Sequence, residues 1–303
     1  MKLIADDLTE ENRLDAYLKE YMPDFSRSKI SQEIKSGNIT VNSNIVKPSY
    51  IVKSGDIIEI QTKENITQIE PENIGLEIIY EDDNMLVVNK PSGMLTHPTA
   101  IEKSGTLVNA LLFKYGNNLS TINGEYRPGI IHRLDRNTSG LLMIAKNNKT
   151  HEWLTNHIKQ RNITKKYRAV VKGVINEDEF TINKPIGRNP NQPHKMAIRE
   201  DGKESISKIK VIKRFKNATY VEIQLITGRT HQIRVHMASV GHIVYNDTLY
   251  GFGKMKIRTD EQVLQSYSLA FPKPFTGEII TCEIPPDSKI TKVLDFLISF
   301  ENN

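Results

Sequence analysis

The sequence predicts an α+β fold in which a small, partly helical N-terminal domain precedes a larger domain. That larger domain is expected to be a mixed, largely antiparallel sheet flanked by helices. Segments that alternate or run apolar as strands do, such as "KYRAVVKGVI", "TYVEIQLIT" and "GEIITCEI", outnumber segments with helical spacing. The chain has 303 residues, of which 38% are hydrophobic and 25% charged, so it is long enough for more than one domain.

Two short helices and a small sheet are predicted at the N-terminus. Apolar residues at i, i+3, i+4 and i+7 from Leu14 indicate the first helix, which Pro23 ends. Ser26 is a candidate cap for the second helix, and Gly37 is suited to a left-handed stop. Short strands are expected in "ITV", "IV" and "DIIEI", because turn residues separate them.

A polar segment divides the chain. Residues 61–75, "QTKENITQIEPENIG", lack sustained periodicity and contain Pro71 and Gly75, which predicts a linker. The expected domains are therefore residues 1–60 and residues 76–303. In the larger one, a strand pair turns at Asp83-Asn84, and three helices are predicted at 106–115, 150–161 and 229–240, the first with Thr106 as its cap.

Charge is distributed unevenly between these parts. Residues 1–60 carry a net charge of −2, whereas residues 76–303 carry 32 Lys and Arg against 23 Asp and Glu, a net charge of +9. A basic domain attracts phosphate backbones. The positive charge fits RNA binding and ordinary solubility equally well, so the motifs must decide between these two explanations.

The chain has the features of a cytoplasmic protein. Its one cysteine, Cys282, excludes an internal disulfide and suits a reducing compartment. No apolar run approaches the roughly 18 residues of a membrane span, and the N-terminus is not a secretory signal. We expect a monomer in the cytoplasm without a membrane partner.

The stretch "HRLDRNTSGLLMIA" places one carboxylate among cations directly before an apolar strand. Asp135 lies between Arg133 and Arg136, and a neighbouring cation favours the ionised carboxylate. Gly140 permits a tight turn into the strand 141–145. An ionised carboxylate on such a loop suits a nucleophile or a base. Taken alone, a structural salt bridge at the entrance of a strand would explain the pattern as well.

Residues 13–60 resemble the S4 RNA-binding domain. The resemblance rests on "RLDAYL" and "SRSKISQEIKSGNITVNSNIVKPSYIVKSGDIIEI". In that family the start of the second helix and the loop after it face RNA, which implies RNA contacts for Arg27, Lys29 and Lys35. The negative net charge of this part makes it an auxiliary clamp.

Four further segments resemble the pseudouridine synthases, in particular the branch that joins an S4 domain to the catalytic domain and modifies large-subunit ribosomal RNA. They are "VVNKPSGMLTHP", "HRLDRNTSG", "QRNITKKYRAVVKG" and "LITGRTHQIRVHMASVGH", in the family's order. The resemblance covers most of the chain. It implies isomerisation of uridine without a cofactor, because base and sugar stay together.

The resemblance also implies roles for individual residues. Asp135 matches the catalytic aspartate, Tyr167 the tyrosine that stacks on the target base, and Arg229 the basic residue that pairs with the carboxylate. Arg133 matches the arginine that fills the space left by the flipped nucleotide.

Further residues are expected around this site. His132 and Arg136 are expected to contact RNA, and a wall of the pocket is expected from Leu225 and Ile226. No metal site is predicted, because the spacing of the histidines fits no common metal pattern.

Three alternatives remain open from the sequence. The substrate could be transfer RNA, or the chain could be a non-catalytic RNA-binding or ribosome-assembly protein. A hydrolase that releases free uracil is also possible, although no second carboxylate is obviously paired with Asp135.

Overall fold

The structure is a computed structural model. It describes residues 2–5, 13–22, 25–61, 69–99, 102–123, 127–192, 194–251, 257, 259 and 261–301. The chain forms two compact units, residues 1–68 and residues 69–303.

The first unit is a three-stranded antiparallel sheet with two helices. Its elements are β1 (Lys2–Ile4), α1 (Leu14–Tyr21), α2 (Arg27–Lys35), β2 (Ile39–Val41) and β3 (Ile57–Ile60), with strand order β1-β3-β2. Both predicted helices are confirmed: Ser26 accepts a hydrogen bond from Lys29 N, and Gly37 has φ +79°. The strand predicted in "IV", residues 45–46, was wrong. The chain turns directly after Val41, and only an isolated bridge between Val41 and Asn44 forms there.

The second unit contains eleven strands and four helices within the described residues. In chain order they are β4 (Glu77–Glu81), β5 (Met85–Lys90), α3 (Leu107–Tyr115), β6 (Ser139–Ala145), α4 (Asn148–Lys159), β7 (Thr164–Lys172), β8 (Glu179–Asn183), β9 (Ile186–Arg188), β10 (Met196–Ile198), β11 (Ile206–Phe215), β12 (Ala218–Leu225), α5 (Gln232–Ser239), β13 (Leu264–Pro272), β14 (Ile279–Glu283) and α6 (Ser288–Glu301).

Nine of these strands form one mixed sheet. Its order is β4-β5-β6-β13-β7-β12-β11-β8, and β14 pairs with β13. Every pairing is antiparallel except the short parallel contact between β6 and β13. The predicted α+β class with a largely antiparallel sheet is therefore confirmed.

Capping explains where the helices begin. Thr106 and Asn109 form a capping box at α3, as the sequence indicated for Thr106. The Asn147 side chain accepts a hydrogen bond from Thr150 N and starts α4. Helix α6 was not expected from the sequence; it buries Ile290, Val293 and Leu297.

Residues 69–75 of the expected linker are bound to the larger unit, whereas Gln61 N donates to the Asn38 carbonyl of the first unit. Ile69 packs against the main core, Glu72 N donates to the Asn109 carbonyl, and the Asn109 amide donates to the Glu70 carbonyl. Residues 62–68 of that segment lie outside the described residues. None of the described helices is long and apolar enough to cross a membrane.

Candidate active site

The loop before β6 carries Asp135 into a cavity. Strand β6 is buried along its whole length, so the loop leaves a rigid part of the sheet. At the start of that strand Gly140 has φ +114°, and a Cβ there would lie 2.0 Å from the Ser266 carbonyl oxygen of β13. Only glycine permits this approach of the two strands, which fixes the end of the loop.

The segment 90–96 holds the loop through hydrogen bonds to its backbone. Each bond satisfies a backbone carbonyl of the loop. The donors are Thr96 Oγ1 to the Leu134 carbonyl at 3.0 Å, Lys90 Nζ to the Arg136 carbonyl at 3.0 Å, and Ser92 Oγ to the Asn137 carbonyl at 2.9 Å.

Lys90 is fully buried at the centre of this contact. Its ammonium also donates to the carbonyls of Pro91 and Met94, both at 2.8 Å. Burial, together with the nearby charge of Lys289, lowers the pKa of Lys90 to about 7. The lysine thus ties the turn after β5 to the loop that carries Asp135.

Arg234 is the cation bonded to Asp135. Its Nε and Nη2 atoms form a fork on the fully buried carboxylate of Asp247, at 2.6 and 2.8 Å. The remaining Nη1 donates to Asp135 Oδ2 at 3.2 Å. Because the fork fixes the plane of the guanidinium, the third donor is held in place for Asp135.

His231 is also aimed at this carboxylate. It has φ +55°, a conformation rare for a residue with a side chain, and its Nε2 lies 3.9 Å from Asp135 Oδ2. Met196 N donates to the Tyr250 hydroxyl, and a hydrogen bond of 2.9 Å joins that hydroxyl to His231 Nδ1. These two bonds hold the imidazole ring in place beside Asp135. Burial lowers the pKa of His231, which keeps the ring neutral near pH 7.

The cavity around Asp135 has a volume of about 550 Å³, within the usual range of small-molecule sites. Tyr167 of β7 is buried in its wall, and burial raises the pKa of the Tyr167 hydroxyl, so the phenol is neutral. Leu225 and Ile226 line the same cavity. The site therefore joins an accessible carboxylate, an aromatic ring and an apolar wall.

Comparisons with known proteins agree on one family. The model of RNA pseudouridylate synthases matches residues 84–239, and that of the S4 domain matches residues 12–58. An uncharacterized RNA pseudouridine synthase of Bacillus subtilis (strain 168) is 40% identical over 296 residues, which cover 97% of each chain.

The chain belongs to the RNA pseudouridylate synthase family. The family's enzymes are isomerases that act on RNA. A ribosomal large subunit pseudouridine synthase D of Xanthomonas campestris is 36% identical over 308 residues, covering 97% of this chain and 91% of that protein. The structure of human RNA pseudouridylate synthase domain containing 1 superposes with a TM-score of 0.58 at 25% identity, covering 75% of this chain and 96% of that one.

One expected contact of the family's site was assigned to the wrong arginine. Arg229 forms no ion pair with Asp135; its Nε donates to the Glu204 carbonyl at 3.1 Å. Arg229 precedes α5 and lies on the cavity rim, whereas Arg234 lies inside the helix and reaches Asp135. Residue Arg229 thus stays in the site, but the partner of the carboxylate is Arg234.

The other basic residues of the motif have different surroundings. Arg133 is exposed and lines the cavity, and Arg136 pairs with Glu102. His132 accepts a hydrogen bond from Met143 N on Nε2, and burial lowers its pKa to about 3. The structure therefore gives His132 a bond that positions the loop.

Two of the three cations expected to face RNA in the first unit are paired within the protein. Arg27 donates twice to Asp15, at 3.2 Å each, and Lys29 pairs with Glu33 one turn along α2. Lys35 is exposed and makes no ion pair with a described residue.

Sequence reasoning missed Arg234 and Asp247 as members of the site, whereas it expected structural or RNA contacts near the site for His231. A signal for Arg234 was present: it interrupts the apolar positions of α5, and it lies three residues after His231, on the same helix face. Asp247 follows in a turn without periodicity, so nothing local singled it out. In the described part of the chain, no three His, Cys, Asp or Glu residues are grouped to hold a metal.

Proposed function

We propose that this protein isomerises uridine to pseudouridine in large-subunit ribosomal RNA, with Asp135 as the catalytic carboxylate. The observation that carries the proposal is the bond between Asp135 and Arg234 inside a cavity walled by Tyr167. Arg234 orients the carboxylate while one side of it stays open to the cavity.

The reaction needs the target uridine outside its helix, because a stacked base cannot reach a carboxylate inside a cavity. In the proposed mechanism Tyr167 supplies the face against which the extruded uracil lies. Arg133, exposed at the mouth of the cavity, stacks in the gap that the base leaves.

The proposed chemistry conserves every atom. The bond between N1 and C1′ breaks with its electron pair left on the uracil, the ring turns, and C5 uses that pair to bond to C1′. C5 then loses a proton and N1 gains one. Asp135 assists by adding to the sugar, by adding to the base, or by removing a sugar proton.

The substrate class is supported by relatives named for the large ribosomal subunit and by the S4 domain. In this proposal the first unit is an auxiliary RNA clamp that uses Lys35 and the outer faces of Arg27 and Lys29. Arg136 and Arg229 bind the backbone near the cavity. We also propose that the protein acts as a monomer in the cytoplasm.

Mapping of pseudouridines after carbodiimide treatment, by primer extension, tests this function. Unmodified ribosomal and transfer RNAs are incubated with the protein without added cofactor, and free uracil is measured in parallel. We expect new stops in large-subunit ribosomal RNA and no free uracil.

Stops confined to transfer RNA would replace the proposed substrate, and release of uracil would replace isomerisation by hydrolysis. If every RNA bound without either product, the protein would be an inert RNA-binding member of the family.

A further inference from the structure

Lys165 is a buried lysine in the cavity to which no role has been assigned. Lys165 is 7% exposed, and its side chain lines the cavity. The Nζ atom lies beside the turn at Gly228. The Lys165 backbone is paired within the sheet, but the ammonium makes no hydrogen bond and no ion pair with any described residue. Burial lowers the pKa of Lys165, and the charge of Arg229 lowers it further.

The neighbouring lysine on β7, Lys166, has a carboxylate partner, as most lysines in a folded protein have a partner or solvent. Lys166 points to the other face of the strand and pairs with Glu222 at 3.2 Å. Arg234, the other buried cation of the cavity, is shared by two carboxylates. An unpaired cation at this depth is unfavourable unless a ligand supplies negative charge or oxygen atoms.

The strand determines which part of a ligand Lys165 can reach. Lys165 and Tyr167 are two residues apart on β7, so both face the cavity, about 6.6 Å apart along the strand. Asp135 is bonded to Arg234. Burial raises the pKa of the Tyr167 hydroxyl and the charge of Asp135 raises it further, so the carboxylate lies near that ring. A uracil whose ring lies against Tyr167 and whose sugar lies at Asp135 can then present a carbonyl edge to Lys165.

The chemistry requires a positive charge at that edge. If Asp135 adds to the sugar or removes a sugar proton, the uracil leaves with the electron pair of the broken bond. If Asp135 adds to the base, the ring becomes an enolate. In each route the ring gains negative charge, which its carbonyl oxygens share.

We propose that Lys165 is a catalytic residue whose ammonium binds a carbonyl oxygen of the flipped uracil and stabilises the negative charge that the ring gains. The proposal rests on the proposed function. The negative charge on the ring opposes the effect of burial on the pKa of Lys165, so the ammonium keeps its protons and acts as a fixed electrostatic donor.

The test compares Lys165→Met with Lys166→Met, its matched control on the other face of the same strand. In vitro transcribed large-subunit ribosomal RNA carries tritium at uridine C5, and tritium release at saturating enzyme gives the rate of isomerisation. We expect Lys165→Met to lose about 10²-fold in this rate. The dissociation constant of the same RNA should stay within about threefold, and Lys166→Met should match the wild type.

Other outcomes would overturn the role. A weaker dissociation constant with a normal rate at saturation would make Lys165 a phosphate contact, and no change in either would make it a spectator. Failure of the wild type itself to release tritium would instead contradict the proposed function.

A second variant keeps the test valid if Lys165→Met is destabilised. Removal of an unpaired buried charge should leave the melting temperature of Lys165→Met equal to or above that of the wild type. If it falls, Gly228→Ala replaces it as the test, because the added methyl lies 3.3 Å from Nζ and shifts the ammonium. We then expect an approximately tenfold slower release, and an unchanged rate would contradict the proposal.

Discussion

At the scale of single residues, the site depends on how the donors of Arg234 are divided between Asp247 and Asp135. Asp247 takes two donors of Arg234 and is itself fully buried, so only the third donor is available to Asp135. The guanidinium cannot turn away without breaking the buried fork. This division leaves Asp135 oriented by one hydrogen bond and open to a substrate on its other side.

Substitution of the two arginines separates their roles. Arg234→Gln should lower the rate at saturating RNA by at least about 10²-fold, because Asp135 loses its cation and Asp247 is left unpaired. Arg229→Gln, the matched control on the rim, should raise KM and change kcat less than about tenfold. Steady-state kinetics of pseudouridine formation checks both, and a larger loss of kcat in Arg229→Gln would reverse the assignment.

The sequence singled out Asp135 because "HRLDRNTSG" resembles the family's catalytic motif, whereas the local pattern of charge and turn residues alone fits a salt bridge equally well. The resemblance assigned the pairing with Asp135 to Arg229, although Arg234 makes it. The correct assignment depends on where α5 begins, and the N-cap at His231 has a left-handed backbone that no simple pattern indicates. Such single-residue geometry is decided by tertiary contacts.

At the scale of elements, the loop of Asp135 is rigid because another segment supplies its hydrogen bonds. Residues 90–96 donate to three of its carbonyls, and Lys289 of α6 adds a bond to the Asn137 carbonyl at 3.1 Å. The family-like "NKPSG" stretch therefore acts on Asp135 through the backbone.

Thr96→Val tests the hydrogen bond from Thr96 to the loop, because valine has the same shape as threonine but no hydroxyl. The Leu134 carbonyl would lose its donor inside the fold, which should cost about 1–3 kcal/mol in the free energy of unfolding. Urea unfolding measures the loss. A variant as stable as the wild type would show that another donor satisfies this carbonyl.

Gly140→Ala tests the contact between β6 and β13. The added methyl would overlap the Ser266 carbonyl, and the backbone at φ +114° disfavours any side chain, so we expect a loss of more than about 4 kcal/mol. Gly75→Ala is the control, because no atom lies within 4 Å of the added methyl. Circular dichroism during heating compares them; equal melting temperatures would contradict the close approach.

Element prediction succeeded where signals are local. Ser26 and Thr106 cap helices as their sequence contexts indicated. The central place of β13 between β6 and β7 could not be foreseen, because it depends on a parallel contact between strands more than 100 residues apart. Helix α6 was missed although its cap is local: Asp287 directly precedes it, and Asp287 Oδ1 accepts a hydrogen bond from Ile290 N.

At the scale of the whole molecule, the two units differ in charge and so in their expected contribution to RNA binding. The larger part carries the positive charge and the cavity, while the first unit satisfies much of its own charge internally. The predicted boundaries at 60 and 76 remain a prediction, because the residues between them are only partly described.

Buried histidines should make the protein sensitive to mild acid. Burial lowers the pKa of His97 to about 4 and that of His132 to about 3, whereas an unfolded histidine titrates near 6.5. Between these values the unfolded chain binds more protons, so stability is fully present above pH 6.5 and is lost as the pH falls.

Urea unfolding at pH 7.5, 6 and 5 measures this loss. His132→Gln should flatten the slope by up to about 1.4 kcal/mol per pH unit, because its amide oxygen can still accept the bond from Met143 N. An unchanged slope would show that His132 binds the same number of protons in the folded and unfolded states.

The central claim is that the Asp135 carboxylate performs the isomerisation while the rest of the site binds the RNA. The direct measurement is the single-turnover rate of pseudouridine formation by Asp135→Asn on large-subunit ribosomal RNA, with the dissociation constant measured on the same RNA. The account predicts a rate at least about 10⁴-fold lower with affinity within about threefold of the wild type. A variant that still forms pseudouridine at a rate near that of the wild type would contradict it.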